Sequence, residues 1–234
     1  MNWDKIGILE YLSKLRGYRN YLEICTPTTG GQFARIDRSH FDVCHRLMYR
    51  CPVDFTDGLN IEFRAPDLDI GHCIADIHHG GFRYDIMLVD PWHEYESSLR
   101  DMQVALSLLT DTGSIVVHDC CPPTDNIISP KFVPGAWCGV TFIAYVDFVA
   151  QNDGIEYRTV DTDFGCGVIQ RSHISVKANR FFMFRESWNA VRYDSSAAFR
   201  FVQKHRYALL NLVSVEEFIR TEAHGVLMSS DDQL

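Results

Sequence analysis

Two polar clusters follow two apolar runs in the middle of the chain. Asp90 and His93 come at the end of the apolar run at residues 84–90, and His118 and Asp119 end the run at residues 114–119. An unpaired buried acid is costly, so we expect these acids to be paired or to bind a ligand. Carboxylates beside imidazoles suit a divalent metal or an acid–base pair. Structural pairing and helix capping are the competing interpretations.

A third candidate segment lies near the start of the chain. Residues 23–31 read EICTPTTGG, and they follow a predicted strand at residues 21–25. A glycine pair after a first strand lets the backbone approach a cofactor closely. The alternative is an ordinary polar loop that joins a strand to a helix.

The elements around these segments predict a parallel sheet. Continuous apolar runs such as residues 84–90 and 114–119 are typical of strands buried on both faces. Between them, apolar residues from Tyr95 to Leu109 recur at steps of four and three, which predicts an amphipathic helix that ends at Gly113. Strand, helix and strand form a βαβ unit, and ligands bind beyond the carboxyl ends of such strands.

The remaining pattern completes an α/β fold. A helix is predicted over residues 3–17, and a polar turn joins strands at 155–160 and 165–171 into an antiparallel hairpin. We therefore expect a Rossmann-like, doubly wound, mostly parallel sheet of seven strands with an antiparallel end strand and helices on both faces. Residues 1–171 would form this domain with its N-terminal helix, and residues 172–234 a helical extension packed on it.

Composition limits the partners. The net charge of −9 lacks the basic footprint of a nucleic-acid binder and disfavours an anionic membrane surface. No apolar run is long enough to span a membrane, and the N-terminal residues carry no apolar signal segment. None of the eight cysteines is spaced Cys-x-x-Cys, which favours free thiols in a reducing cytoplasm. We expect a cytoplasmic protein with a small-molecule substrate, and its helical ends are compatible with a homodimer.

Taken together, the three segments resemble the class I methyltransferases that depend on S-adenosylmethionine (SAM). The group most similar is that of small-molecule O-methyltransferases, including sugar and natural-product types. The resemblance covers about residues 20–170 and is strongest over residues 84–119. Its pattern includes a Leu-Leu-x-x-x-Gly segment and six further positions, which are here Asp90, His93, Tyr95, Asp101, His118 and Asp119. Residues 23–31 resemble the first SAM motif, with Cys25 where the family usually has glycine.

The resemblance implies roles for matching positions. The catalytic residues would be His93, as general base, and Asp90. The SAM site would include Glu23, Thr28, Gly30, Gly31 and Asp90. Asp90, His118 and Asp119 would hold Mg²⁺ or another divalent metal, with His118 standing where some relatives carry an acid. The family also binds the ribose hydroxyls with an acid that ends the second strand, and no such acid is found here.

Three functions follow from these residues. The first is SAM-dependent O-methylation of a small hydroxylated molecule such as a sugar or natural product. The second is an altered or non-catalytic member that binds SAM weakly or not at all. The third is a metal-dependent hydrolase, with its ligands among Asp90, His93, His118 and Asp119. A nicotinamide dehydrogenase is disfavoured because Gly-x-Gly-x-x-Gly does not follow the first strand.

Overall fold

The computed structural model describes residues 2–29, 31–172 and 183–231, with the backbone alone for 225–231. The helices in these residues are α1 (Lys5–Arg16), α2 (Gly71–His79), α3 (Tyr95–Leu108), α4 (Thr141–Gln151), α5 (Arg185–Val191), α6 (Ser195–Leu209) and α7 (Val215–Asp231). The strands are β1 (Asn20–Cys25), β2 (Val43–Met48), β3 (Phe63–Arg64), β4 (Tyr84–Val89), β5 (Leu109–Val117), β6 (Ile155–Val160), β7 (Cys166–Arg171) and β8 (Leu212–Val213).

These strands form one mixed sheet in the order β3-β2-β1-β4-β5-β7-β6-β8. The first five strands are parallel, β7 runs antiparallel to both β5 and β6, and β8 is parallel to β6. The predicted doubly wound α/β fold and the β6–β7 hairpin are confirmed. Two details were wrong: the sheet has eight strands rather than seven, and its antiparallel strand lies inside the sheet rather than at its end. Strand β8 has only two residues, too few to show an alternating pattern.

Helices cover both faces of the sheet. Alternate residues of β4 belong to two separate hydrophobic clusters, Ile86 and Leu88 to one, Met87 and Val89 to the other. Helices α1 and α7 pack on the first cluster, and α2 to α6 pack on the second. A strand buried on both faces in this way needs apolar residues at every position, which explains its continuous apolar run. Of the helices in the described residues, none combines the length and apolar character needed to cross a membrane.

The junction between α3 and β5 differs from the prediction. Helix α3 ends at Leu108 and β5 begins at Leu109, so Gly113 lies within the strand and does not end the helix. The register of β5 against β4 shifts between Tyr84 and Ile86. A Cβ atom on Gly113 would lie 2.8 Å from the carbonyl oxygen of Asp85. The glycine is therefore needed for the close approach of two strands.

Helix α1 starts beside the β6–β7 turn. The carboxylate of Asp4 caps the helix by accepting hydrogen bonds from the backbone of Ile6 and Gly7. The backbone N–H of Lys5 donates to Asp163 Oδ2 at 3.1 Å, and Asp163 lies in the turn between β6 and β7. These contacts fix the first turn of α1 near the carboxyl ends of the central strands.

Candidate active site

The ends of β4 and β5 bring two acids together. The backbone N–H of Asp90 donates to Ile24, and that of His118 donates to Val89, so each strand continues its ladder up to the polar residues. Asp119 then adopts a left-handed backbone with φ 61°. Such a conformation is costly for a residue other than glycine and is concentrated at functional sites.

His93 lies between these two carboxylates. Its Nε2 atom is 3.4 Å from Asp90 Oδ1 and 3.2 Å from Asp119 Oδ2, and all three side chains are buried. Its Nδ1 atom donates to the carbonyl oxygen of Trp137 at 2.5 Å, because a carbonyl can only accept. Nε2 is therefore the atom that faces the carboxylates and is placed to accept a proton or bind a metal.

Burial and charge shift the ionisation of this group in opposite ways. Burial alone would lower the pKa of His93, but the hydrogen bond to Asp90 and the charge of Asp119 raise that pKa above its ordinary value. Burial alone would raise the pKa of Asp90, but the Lys5 ammonium and the His118 ring hold that pKa well below its ordinary value. Asp90 is therefore a carboxylate at neutral pH, beside an imidazole with an increased affinity for protons.

His118 faces another set of partners, two of which sequence reasoning did not find. Its Nδ1 atom lies 3.1 Å from Lys5 Nζ, and its Nε2 atom lies 3.4 Å from Asp163 Oδ2. Lys5 Nζ also donates to Asp90 Oδ2 at 2.7 Å. The only sequence signal for Lys5 is its place after the N-cap residue Asp4, and its position in the site depends on tertiary packing.

The structure therefore modifies the predicted ligand set. Ligand atoms of Asp90, His93 and Asp119 all lie within 4.8 Å of one another, so this group could hold a metal ion. His118 was predicted as the third ligand, and its Nδ1 does lie 3.3 Å from Asp119 Oδ2. That same atom contacts the Lys5 ammonium, which repels a metal cation. The geometry thus favours His93 over His118 beside the two acids.

Of two adjoining cavities, the smaller opens on this cluster. The smaller, of about 250 Å³, is lined by the polar cluster and by the aromatic rings of Phe132, Trp137 and Phe164. The larger, of about 630 Å³, is lined by residues from the ends of β1, β2 and β4, including Thr28, Arg50 and Trp92. Thr28 and Phe132 line both cavities. Volumes of this size accommodate small molecules.

The loop after β1 contributes only part of the predicted cofactor set. Thr28 lines both cavities, whereas Gly31 is exposed and lines neither. Gly30 lies outside the described residues. Thr29 was not singled out from the sequence, yet its hydroxyl donates to the Asp90 carbonyl at 2.7 Å and accepts from the backbone of Thr26 at 2.9 Å. Threonine hydroxyls thus tie this loop to the end of β4.

Glu23 lies beneath the loop and not on a cavity wall. Its side chain is fully buried and accepts a hydrogen bond from the Tyr21 hydroxyl at 3.0 Å. Burial raises the pKa of Glu23 to about 7. A contact between Glu23 and a bound ligand would therefore require the loop or the side chain to move.

A cation follows the end of β2, where the resemblance to the methyltransferases would lead one to expect an acid. Arg50 follows β2 with a left-handed φ of 52°, and its guanidinium lies 3.8 Å from the centre of the Trp92 ring. The one acid among the described residues that line the large cavity is Glu94, which pairs with Lys131 at 3.0 Å. Among the described residues, the large cavity thus has no acid on its wall that lacks a cationic partner.

Tyr49, which precedes Arg50, links the two sides of the large cavity. Its hydroxyl donates to Asp101 at 2.7 Å and accepts from the backbone N–H of Trp92 at 2.5 Å. Asp101 is fully buried, and burial raises its pKa to about 6. The Asp in the helix that carries part of the sequence resemblance therefore positions Tyr49 and the segment between Asp90 and His93.

Comparison with known proteins bears on the fold. No protein-family model and no curated protein sequence matches the chain. Among solved structures, the O-methyltransferase TomG from Streptomyces achromogenes, in complex with SAM, is similar with a TM-score of 0.52 and 16% identity over 70% of this chain and 78% of that one. An O-methyltransferase from Bacillus cereus has a TM-score of 0.49 and 13% identity over 69% and 77% of the two chains. At such identity the similarity to TomG concerns the fold alone. The chain therefore shares the overall fold of this SAM-bound O-methyltransferase.

Proposed function

We propose that this protein transfers the methyl group of SAM to an oxygen atom of a small hydroxylated molecule, such as a sugar or natural product. One observation carries the proposal: His93, flanked by two carboxylates, lies on a small cavity that adjoins a larger one. The larger cavity lies at the carboxyl ends of β1, β2 and β4, where ligands bind in open α/β sheets. It would hold SAM, and the small cavity would hold the acceptor.

The chemistry asks little of the protein beyond alignment and proton removal. The methyl group of a sulfonium is already activated, so rate is gained mainly by holding the acceptor oxygen in line with it. The bond from oxygen to the methyl carbon forms as the carbon–sulfur bond breaks, which leaves S-adenosylhomocysteine. The hydroxyl proton passes to His93 Nε2, and Asp90 and Asp119 stabilise the imidazolium that results.

The polar cluster also has a donor set that suits a divalent metal. Two carboxylates and an imidazole match the ligand preferences of Mg²⁺ or Mn²⁺, and their atoms are close enough to share an ion. Asp90, His93 and Asp119 would hold it as an alternative to the proton transfer above, because the single lone pair of His93 Nε2 cannot both bind an ion and accept a proton. A bound ion of this kind would lower the pKa of the substrate hydroxyl.

The fit to SAM is good in volume and weak in polar contacts. The large cavity offers the Trp92 ring as an apolar wall, but it presents Arg50 where an acid would bind the ribose. In the loop after β1, the Thr29 hydroxyl is engaged by the backbone carbonyl of Asp90 at 2.7 Å. These two features favour modest SAM affinity. They are also the observations that support the second candidate, an altered family member without activity.

Isothermal titration calorimetry with SAM and with S-adenosylhomocysteine separates the candidates. We expect binding in the micromolar range, weakened at least tenfold by Trp92→Ala and unchanged by the exposed control His79→Gln. Release of S-adenosylhomocysteine over a panel of hydroxylated acceptors would then identify the substrate class. Absence of binding to either compound, with and without Mg²⁺, would reject the methyltransferase and leave the altered member.

A further inference from the structure

The polar cluster already contains a cation supplied by the chain. The side chain of Lys5 is 9% exposed, and its ammonium lies 2.7 Å from Asp90 Oδ2 and 3.1 Å from His118 Nδ1. The side chain of Lys5 thus forms an ion pair with an almost fully buried carboxylate at the end of β4.

Several contacts fix the backbone at Lys5, from which this ammonium extends. Asp4 caps the helix at the preceding residue, and the backbone N–H of Lys5 donates to Asp163 in the β6–β7 turn. The hydroxyl of Thr162, in the same turn, donates to the backbone carbonyl of Trp3 at 2.7 Å. The start of α1 is thus fixed on both sides of Lys5. This differs from an exposed ion pair, which has two mobile side chains.

The cluster needs a cation because it gathers negative charge away from water. Asp90, Asp119 and Asp163 lie around the two imidazoles, and the first two are almost fully buried. Buried carboxylates are stable only when they are paired or bound to a metal. A divalent metal ion between Asp90 and Asp119 would supply this positive charge. The Lys5 ammonium already supplies positive charge at Asp90, without a metal.

We propose that Lys5 is the resident cation of this site and that it takes the place of a divalent metal. A metal ion bound by Asp90 would face the repulsion of an ammonium on the other oxygen of the same carboxylate. The site therefore works with its own cation, and His93 Nε2 remains available as the proton acceptor. The role of His93 as proton acceptor rests on the proposed methyl transfer. The competition between Lys5 and a metal ion for Asp90 does not.

The test measures Mn²⁺ binding to the full-length chain by electron paramagnetic resonance. Lys5→Met keeps the length of the side chain and removes its charge, and Lys14→Met makes the same change at an exposed position of the same helix. We expect Lys5→Met to bind Mn²⁺ at least tenfold more tightly than the wild type and Lys14→Met to match the wild type. The additional Mn²⁺ affinity should disappear in the double variant that combines Lys5→Met with Asp119→Asn, because this variant lacks one of the carboxylate ligands.

Two results would overturn the proposal. One is equal Mn²⁺ affinity in Lys5→Met and the wild type, whether both bind or neither binds. The other is micromolar Mn²⁺ binding by the wild type itself, which requires no variant and so holds even where Lys5→Met does not fold. SAM titrations on the same samples keep the two questions apart. Lack of SAM binding would reject the methyltransferase and leave the Mn²⁺ result to decide the role of Lys5.

Discussion

The two halves of the candidate site are built differently. At the ends of β4 and β5, buried acids, imidazoles and an ammonium contact one another within 2.7 to 3.6 Å. At the ends of β1 and β2, the wall of the large cavity consists mainly of threonine, proline and aromatic residues, with Arg50 stacked on Trp92 and one surface ion pair between Glu94 and Lys131. The first half carries most of the pattern that resembles the methyltransferases, with His118 as its departure, and the second half departs from that pattern at Cys25 and in the missing acid after β2.

In the proposed reaction, the first half would perform the proton transfer and the second would set the affinity for SAM. A dense buried network tolerates little change, because loss of one partner leaves another charge unpaired. An open cavity wall can lose a ribose contact at the cost of affinity alone. Substitutions in the first half should therefore abolish turnover or folding, and substitutions in the second should tune binding.

The largest effect is expected at His93. His93→Gln removes the proton acceptor but keeps a side chain of similar size, so methyl transfer should fall by roughly 10²–10⁴-fold. SAM affinity should stay within about twofold. Release of S-adenosylhomocysteine and calorimetry measure the two quantities, with His79→Gln as the exposed control. A variant with normal turnover would show that the dense half does not perform the chemistry.

Gly139 tests how tightly the first half of the site is packed. It has a φ of 56°, and an added Cβ would lie 2.1 Å from the carbonyl oxygen of His93. Because that neighbour is backbone and cannot rotate away, Gly139→Ala should lower the free energy of unfolding by about 3 kcal/mol. Urea denaturation measures it. Gly154→Ala, where nothing lies within 4 Å of the added atom, should change stability by less than about 0.5 kcal/mol.

Glu23 tests the second half through pH. Its pKa is about 7 in the folded chain against an ordinary value of 4.5, so the folded state keeps the proton over a range in which the unfolded state has lost it. Stability from this group is complete below about pH 4.5 and is lost as the pH rises through 7. Between pH 5 and pH 8 the wild type should lose about 2 kcal/mol from this source.

The matching experiment is urea denaturation at the two pH values. Glu23→Gln has no ionisable group at this position, so between the two pH values it should lose about 2 kcal/mol less unfolding free energy than the wild type. The control Glu62→Gln, at an exposed position, should show the same pH dependence as the wild type. Equal pH dependence in Glu23→Gln and the wild type would place the ionisation elsewhere in the chain.

Arg50 tests the departure from the family directly. Arg50→Glu restores an acid at the end of β2, where it can accept hydrogen bonds from ribose hydroxyls. We expect SAM to bind about tenfold more tightly, which corresponds to about 1.4 kcal/mol. Arg50→Ala should stay within about threefold of the wild type. Weaker SAM binding in Arg50→Glu would mean that the ribose does not lie at this end of the cavity.

Some features of the candidate site could be predicted from the sequence, and others could not. Strand β4 and the second half of β5 were predictable because each is an apolar run, and parallel neighbours must end at one edge, which puts Asp90 beside Asp119. The place of Lys5 was not predictable, because it depends on a turn far away in the chain. The different surroundings of His93 and His118 were not predictable either, because the contact of His93 with Trp137 and that of His118 with Lys5 both depend on tertiary packing.

The contact of Lys5 with the β6–β7 turn also bears on the order of folding. Lys5 meets Asp90 across 85 positions of the chain and Asp163 across 158. Contacts of such long range form late, because the entropy of closing the loop must be lost first. During synthesis the acids of β4 and β5 would emerge well before the turn that secures the ammonium. The candidate site would thus be completed only after the β6–β7 turn has been made, and a nascent chain would carry Asp90 and Asp119 without the Lys5 ion pair until then.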